Sequence, residues 1–174
     1  MRIRSTITTI ALATGLAVAG IAVPARAALT GATTTTFTIT GGALAITMPE
    51  SKVFDAVATG AATAGGLLGD VTVADSRGVA VNGWVSTVST TTFLSPTPGV
   101  NGTVAVVNVG YASGPFTAHS GEGTFVAGTS FAAPPTYTAG QGNSSTTWNP
   151  TLTLTLLSSQ VAGLYTGTIT HSVA

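Results

Sequence analysis

The C-terminal run TLTLTL, residues 151–156, alternates threonine with leucine without a break. A period of two sends Leu152, Leu154 and Leu156 to one face and the threonines to the other, as an extended strand does and a helix does not. The same pattern recurs upstream. Phe37 and Ile39 alternate with threonine before Gly41-Gly42, and Leu44, Ile46 and Met48 alternate after it. The two runs read as a hairpin, ended by Pro49 because proline has no N–H for the ladder. Val71 and Val73 begin another run, and Val79, Val81, Trp84 and Val88 continue it. Between them Asp75-Ser76-Arg77-Gly78 reads as a turn, since Asp and Ser bond locally and Gly accepts positive φ. Residues 103–114 give a further strand with Tyr111 near its end, and GEGTFVAG, residues 121–128, a short one. Tyr165, Ile169, His171 and Val173 share one face of a last strand. The short link between it and the leucine strand predicts that the two are antiparallel neighbours.

Other stretches lack the alternation. Residues 50–69 are small and glycine-rich, with Val53, Phe54 and Val57 placed to form a single helical turn. Pro96 and Pro98 break the pattern again, and residues 128–143 read as a loop with short extended pieces. The chain holds 34 threonines, a residue that suits a pleated, half-buried surface and loses rotamer freedom in a helix. About eight strands with irregular links predict an all-β fold, an antiparallel β-sandwich of Ig-like or Greek-key type, with a barrel as the alternative.

The first 27 residues have a separate pattern. Arg2 and Arg4 precede an apolar run over residues 7–23, and Ala25 and Ala27 then form a small-residue cleavage site. This predicts a secretory signal peptide cut after Ala27, with no transmembrane segment left behind. A single domain, residues 28–174, then lies outside the cytoplasm. Its cations are Lys52 and Arg77, against Glu50, Asp55, Asp70, Asp75 and Glu122. So few basic groups cannot neutralise a phosphate backbone, which excludes nucleic acid as an expected partner. The chain has no cysteine, so thiol chemistry and disulfides are excluded, and the fold must rest on its core and backbone ladder.

One string suggests catalysis. GTSFAAP, residues 128–134, resembles the segment around the reactive serine of subtilisin-like proteases, which would make Ser130 a nucleophile. That site needs a helix after the serine, and Pro135 and nearby glycines oppose one. Ser120, His119 and Glu122 spell a triad, but they lie too close on an extended chain for the mutual bonds a triad requires. His171 lies on an apolar strand face and is expected to be packed and hydrogen-bonded. The five carboxylates are scattered, whereas calcium takes about six or more clustered oxygens. No catalytic residue, metal or cofactor is therefore expected.

Taken with the leader, VTVADSRG (residues 71–78), GWVSTVS (residues 83–89) and the terminal Ala162-Gly163-x-Tyr165-x-Gly167-x-Ile169 pattern give the chain a family likeness. It resembles the WxL-domain family of secreted Gram-positive surface proteins, in an actinobacterial-type branch. The resemblance implies a non-enzymatic β-rich module held non-covalently on cell-wall peptidoglycan or surface glycan, or on other surface proteins. It puts forward Trp84, Trp148 and Tyr111 as ligand-binding residues, and Asp75, Arg77 and Gly78 as a structural turn. Ser86 and Pro150 stand where the family's naming motif has leucine. A large aromatic ring can plug a core or form a platform for a flat sugar ring. The valines around Trp84 favour the core; for Trp148 both readings stand. The alternatives to a wall-bound module are a small secreted serine hydrolase using Ser130 or Ser120, and a structural subunit that pairs through its edge strands.

Overall fold

A computed structural model describes residues 31–96 and 99–174; the expected signal peptide lies outside them. Residues 31–37 are exposed and form neither strand nor helix, and residues 38–174 form a compact unit. That unit is all-β and antiparallel. Its strands are β1 (Leu44–Thr47), β2 (Thr63–Leu67), β3 (Val71–Thr90), β4 (Phe93–Leu94), β5 (Thr103–Val104), β6 (Val109–Ala112), β7 (Phe116–Ser120), β8 (Thr124–Val126), β9 (Thr136–Trp148), β10 (Thr151–Thr155) and β11 (Ile169–Val173). Among the described residues, helix is limited to two short 3₁₀ turns, at Val100–Gly102 and Val106–Asn108.

The centre of the fold is the long pair β3–β9. Val71 pairs with Trp148 at one end and Trp84 with Tyr137 toward the other. A flat ribbon would hold Val71 and Trp84 roughly 40 Å apart at about 3.3 Å per residue. Yet the Trp84 and Trp148 rings stack with centroids 5.7 Å apart, and Trp84 stacks on Tyr137 at 5.8 Å. The ribbon is therefore doubled over. Its two halves face each other as the two layers of a sandwich, β1 and β7 flanking one half and β11 and β8 the other. Val71, Val73, Trp84, Tyr137 and Trp148 fill the space between, closed by Leu44, Ile46, Met48, Phe125 and Val173.

The fold in the ribbon coincides with three register shifts, between Asp75 and Val79, Val79 and Asn82, and Asn82 and Trp84. Bulges of this kind bend a strand and raise its twist. Gly78 and Gly142 sit there at φ 65°, and Ala139 at φ 57°, a region that costs a residue with a Cβ. Arg77 clamps the bend: its Nε and Nη2 donate to the two Asp75 oxygens at 2.9 and 2.7 Å, and Nη2 also donates to the Gly83 carbonyl at 2.8 Å. Asn82 Nδ2 donates across to the Gly142 carbonyl at 2.7 Å. Asp75 is 1 % exposed. The hydrogen bonds from Arg77 outweigh burial and hold its carboxyl below the usual carboxylate value.

A second core of Phe93, Val104, Val109, Leu152 and Leu154 lies under a three-stranded sheet, β2-β10-β6, and the small β4–β5 pair. Phe54, Leu68, Phe131, Leu156, Tyr165 and Ile169 pack against it.

Several expectations are corrected. Residues 36–40 form no strand, so there is no hairpin at Gly41-Gly42; β1 pairs with β3 instead. The stretch from Asp75 to Gly78 does not reverse the chain. The Asp75 side chain does accept the Arg77 N–H at 3.1 Å, and Gly78 does take positive φ, but the result is a bulge inside one continuous strand. Val53, Phe54 and Val57 form no helical turn. β2 lies within the same glycine-rich stretch, where its side chains carry no alternation to mark it. Its Gly65 lies so close to Leu152 that a Cβ would run into the Leu152 carbonyl. Residues 103–114 are interrupted by a 3₁₀ turn, and residues 136–143, expected within a loop with short extended pieces, belong to the central strand β9. The last two strands are not neighbours: β10 pairs with β2 and β6, and β11 with β3.

Candidate functional site

The three aromatics put forward as ligand contacts lie inside the protein. Trp84, Trp148 and Tyr111 are 3, 0 and 4 % exposed, so none offers a face on which a sugar ring can stack. This corrects the ligand-binding expectation for all three. The positions where leucine was expected are also internal. Ser86 is buried and donates its hydroxyl to the Pro135 carbonyl at 2.9 Å, and Pro150 is fully buried.

These aromatics instead build a polar row that joins the two cores. Trp148 Nε1–H donates to the Tyr111 hydroxyl at 3.4 Å, and that hydroxyl lies 3.3 Å from His171 Nε2. Indole nitrogen only donates, so Tyr111 accepts from Trp148, and the direction of its bond with His171 Nε2 follows the imidazole tautomer. His171 Nδ1 is buried and has no partner among the described residues. Burial pushes the Tyr111 phenol up and the His171 imidazole down, so both stay neutral near pH 7. His171 is the packed, hydrogen-bonded side chain that its spacing predicts.

His171 also lines a pocket of about 230 Å³, with Glu50, Lys52, Phe54, Phe93 and Ile169. A wider, open cleft of about 390 Å³ lies at the bend of the ribbon, lined by Val81, Asn82, Trp84, Val85, Tyr137 and Thr138 among others. Asn82 Oδ1 and Ser144 Oγ are buried without partners among the described residues.

The candidate nucleophiles are not brought to a base. Ser130 Oγ accepts the Ala133 N–H at 3.1 Å and so closes its own turn. His119 Nδ1 lies 3.0 Å from Thr146 Oγ1, and Glu122 contributes its backbone carbonyl to the Tyr137 hydroxyl. Among the described residues, no group of three or more His, Asp or Glu side chains gathers as a metal site would, and no helix is long and apolar enough to cross a membrane.

The outer faces of the sheets are covered with hydroxyls. Thr72 and Thr147 Oγ1 are 2.8 Å apart across β3 and β9, and Thr87 and Ser172 hydroxyls 2.6 Å apart across β3 and β11. On β10, Thr151, Thr153 and Thr155 are exposed, and Thr153 lies between Gly65 and Gly110 of the neighbouring strands. With glycine on both sides, nothing screens that hydroxyl and the face around it is flat. No protein-family model, curated protein or solved structure matches the chain.

The buried side chains make stability depend on pH in two steps. The unfolded chain's imidazole takes a proton near its ordinary value of 6.5, and the buried His171 resists it. Its contribution is full above 6.5 and declines as the pH falls below that toward the lower folded value. Asp75 acts in the same direction lower down: its contribution is full above 3.8 and is lost as the pH falls through its depressed folded value. Urea midpoints measured from pH 8 to 3 are expected to fall in these two windows. His171→Phe should flatten the upper step and Arg77→Ala the lower; an upper step that persists in His171→Phe assigns it to another group.

Proposed function

We propose that the protein is a non-catalytic, secreted surface module that associates with cell-wall peptidoglycan or surface glycan. The observation that carries the reading is the uncharged, hydroxyl-lined outer surface of the sheets, above all the Thr151, Thr153 and Thr155 row between glycine-bearing strands. A neutral polyhydroxylated polymer is bound by many hydrogen bonds rather than by charge, and a flat hydroxyl face presents them in a repeat set by the strand. The leader pattern and the resemblance to WxL domains support the same reading. Ring stacking has no part in it, since the tryptophans are internal.

The test is retention on intact peptidoglycan. Purified residues 28–174 should be retained at both low and high salt, because screening weakens charge pairs and leaves neutral hydrogen bonds in place. Replacing Thr151, Thr153 and Thr155 by lysine should abolish retention while the thermal melt stays cooperative. Retention no greater than that of an unrelated β-sandwich overturns the proposal.

A further inference from the structure

One motif in the sequence has no role in the fold described above. Residues 36–40, TFTIT, carry a strand alternation, yet they pair with no strand among the described residues, and Phe37 and Ile39 are 87 and 82 % exposed. Two large apolar side chains at a spacing of two lie on one face of an extended segment made otherwise of threonine. That is the pattern of an unpartnered strand.

The compact unit has a matching gap. On the side away from β9, β3 is covered by β1 over Thr72 to Asp75, and Gly42 and Ala43 bond to Ser76. Arg77 takes the Gly83 carbonyl, Ala174 pairs with Val85, and β11 covers Ser86 to Thr90. Between these, residues 79–82 have no strand beside them on that side among the described residues. Val79 and Val81 are 41 and 80 % exposed there. The open cleft at the bend adjoins this edge, with Val81, Trp84, Val85, Tyr137 and Ala174 in its wall. Residues 31–40 carry no charged side chain. An uncovered edge with exposed valines is a template for another strand, and main-chain pairing with alternate side chains set in an apolar cleft is how sheets accept one.

We propose that residues 36–40 of one molecule add as a strand to residues 79–82 of a second copy, with Phe37 and Ile39 in the cleft. Among the described residues, the backbone bonds that the N-terminal part of the chain makes to β3 end with the Gly42 N–H to the Ser76 carbonyl, and β3 bends at the bulges that follow. A second copy approaches the edge without that constraint. Donor segment and acceptor edge are different surfaces, so the contact is head-to-tail, and each added molecule leaves one of each free for the next. Self-association is separate from wall retention: either result can fail while the other stands.

The absence of native cysteine makes cross-linking specific. Light scattering of residues 28–174 should show species larger than a monomer that grow with concentration. The double variant Phe37→Asp, Ile39→Asp should raise the concentration at which they form by tenfold or more while leaving the melting temperature unchanged, because both side chains are exposed. Mixing the single variants Ile39→Cys and Val81→Cys under oxidation should yield the mixed dimer. A chain that stays monomeric at every concentration overturns the proposal, as does assembly that the double aspartate variant leaves unchanged. So does a chain carrying both cysteines that closes on itself as a monomer.

Discussion

Trp148→Ala is expected to remove about 3–5 kcal/mol of stability, the range for truncating a large buried aromatic. The ring is fully buried, stacked on Trp84 at 5.7 Å and beside Phe125 at 5.6 Å. It lies where the two halves of the folded ribbon meet, so its loss leaves a cavity between layers that have no covalent link to close it. The substitution also removes the donor to Tyr111. Against a total of about 5–15 kcal/mol for a typical domain, the variant should be largely unfolded or should melt far below the parent. Urea unfolding followed by far-UV circular dichroism measures this without relying on tryptophan emission. Trp148→Phe keeps an aromatic plug and should retain more of the stability than alanine. A midpoint for Trp148→Ala close to that of the parent would place the ring outside the cooperative core.

Deleting residues 165–174 should abolish the cooperative melt. The deletion removes β11 from the edge of β3 and with it Ile169, His171 and Val173. Val173 closes the first core and Ile169 and Tyr165 close the second, so one strand seals both. Each large apolar side chain lost contributes roughly 1.5–3 kcal/mol when fully buried, and these are partly exposed, so the sum lies below that ceiling. The new edge from Ser86 to Thr90 adds an aggregation hazard. The Tyr165 hydroxyl, which donates to carbonyl oxygen of Asn101 or Val161 at 3.0 and 2.8 Å, goes too, freeing the link that holds β11 in place. A circular dichroism melt decides the matter: a cooperative transition within a few degrees of the parent would make the strand peripheral.

The strand content was legible wherever one face of a strand is buried and the other is wet. Leu152 and Leu154 are buried between exposed threonines, as their spacing predicts, and Val71 and Val73 behave likewise. The alternation fails as a guide in two opposite situations. Residues 36–40 have the pattern and no partner strand among the described residues. β9 has a partner on each side and little pattern, because its middle carries Ala139, Gly140 and Gly142 where the ribbon bends. Turn chemistry was equally ambiguous. Asp75, Arg77 and Gly78 make the local bonds of a turn, and only the long-range pairing to Ser144 and Gly142 keeps the strand running through them. The polar row was half legible. His171 sits on the expected apolar face, but nothing local connects it with Tyr111 or Trp148, since the three come from β11, β6 and β9.

The doubled ribbon also governs the order in which the molecule can form. Val71 cannot find Trp148, nor Trp84 find Tyr137, until a long intervening loop has closed, an entropic cost borne before any packing returns it. A chain that emerges N-terminus first therefore exposes β1, β2 and β3 with no central partner until β9 has followed. Nothing before that point can assemble the first core, because Tyr137 and Trp148 are two of its five buried side chains. The first core can therefore close only after β9 has been made, late in the chain.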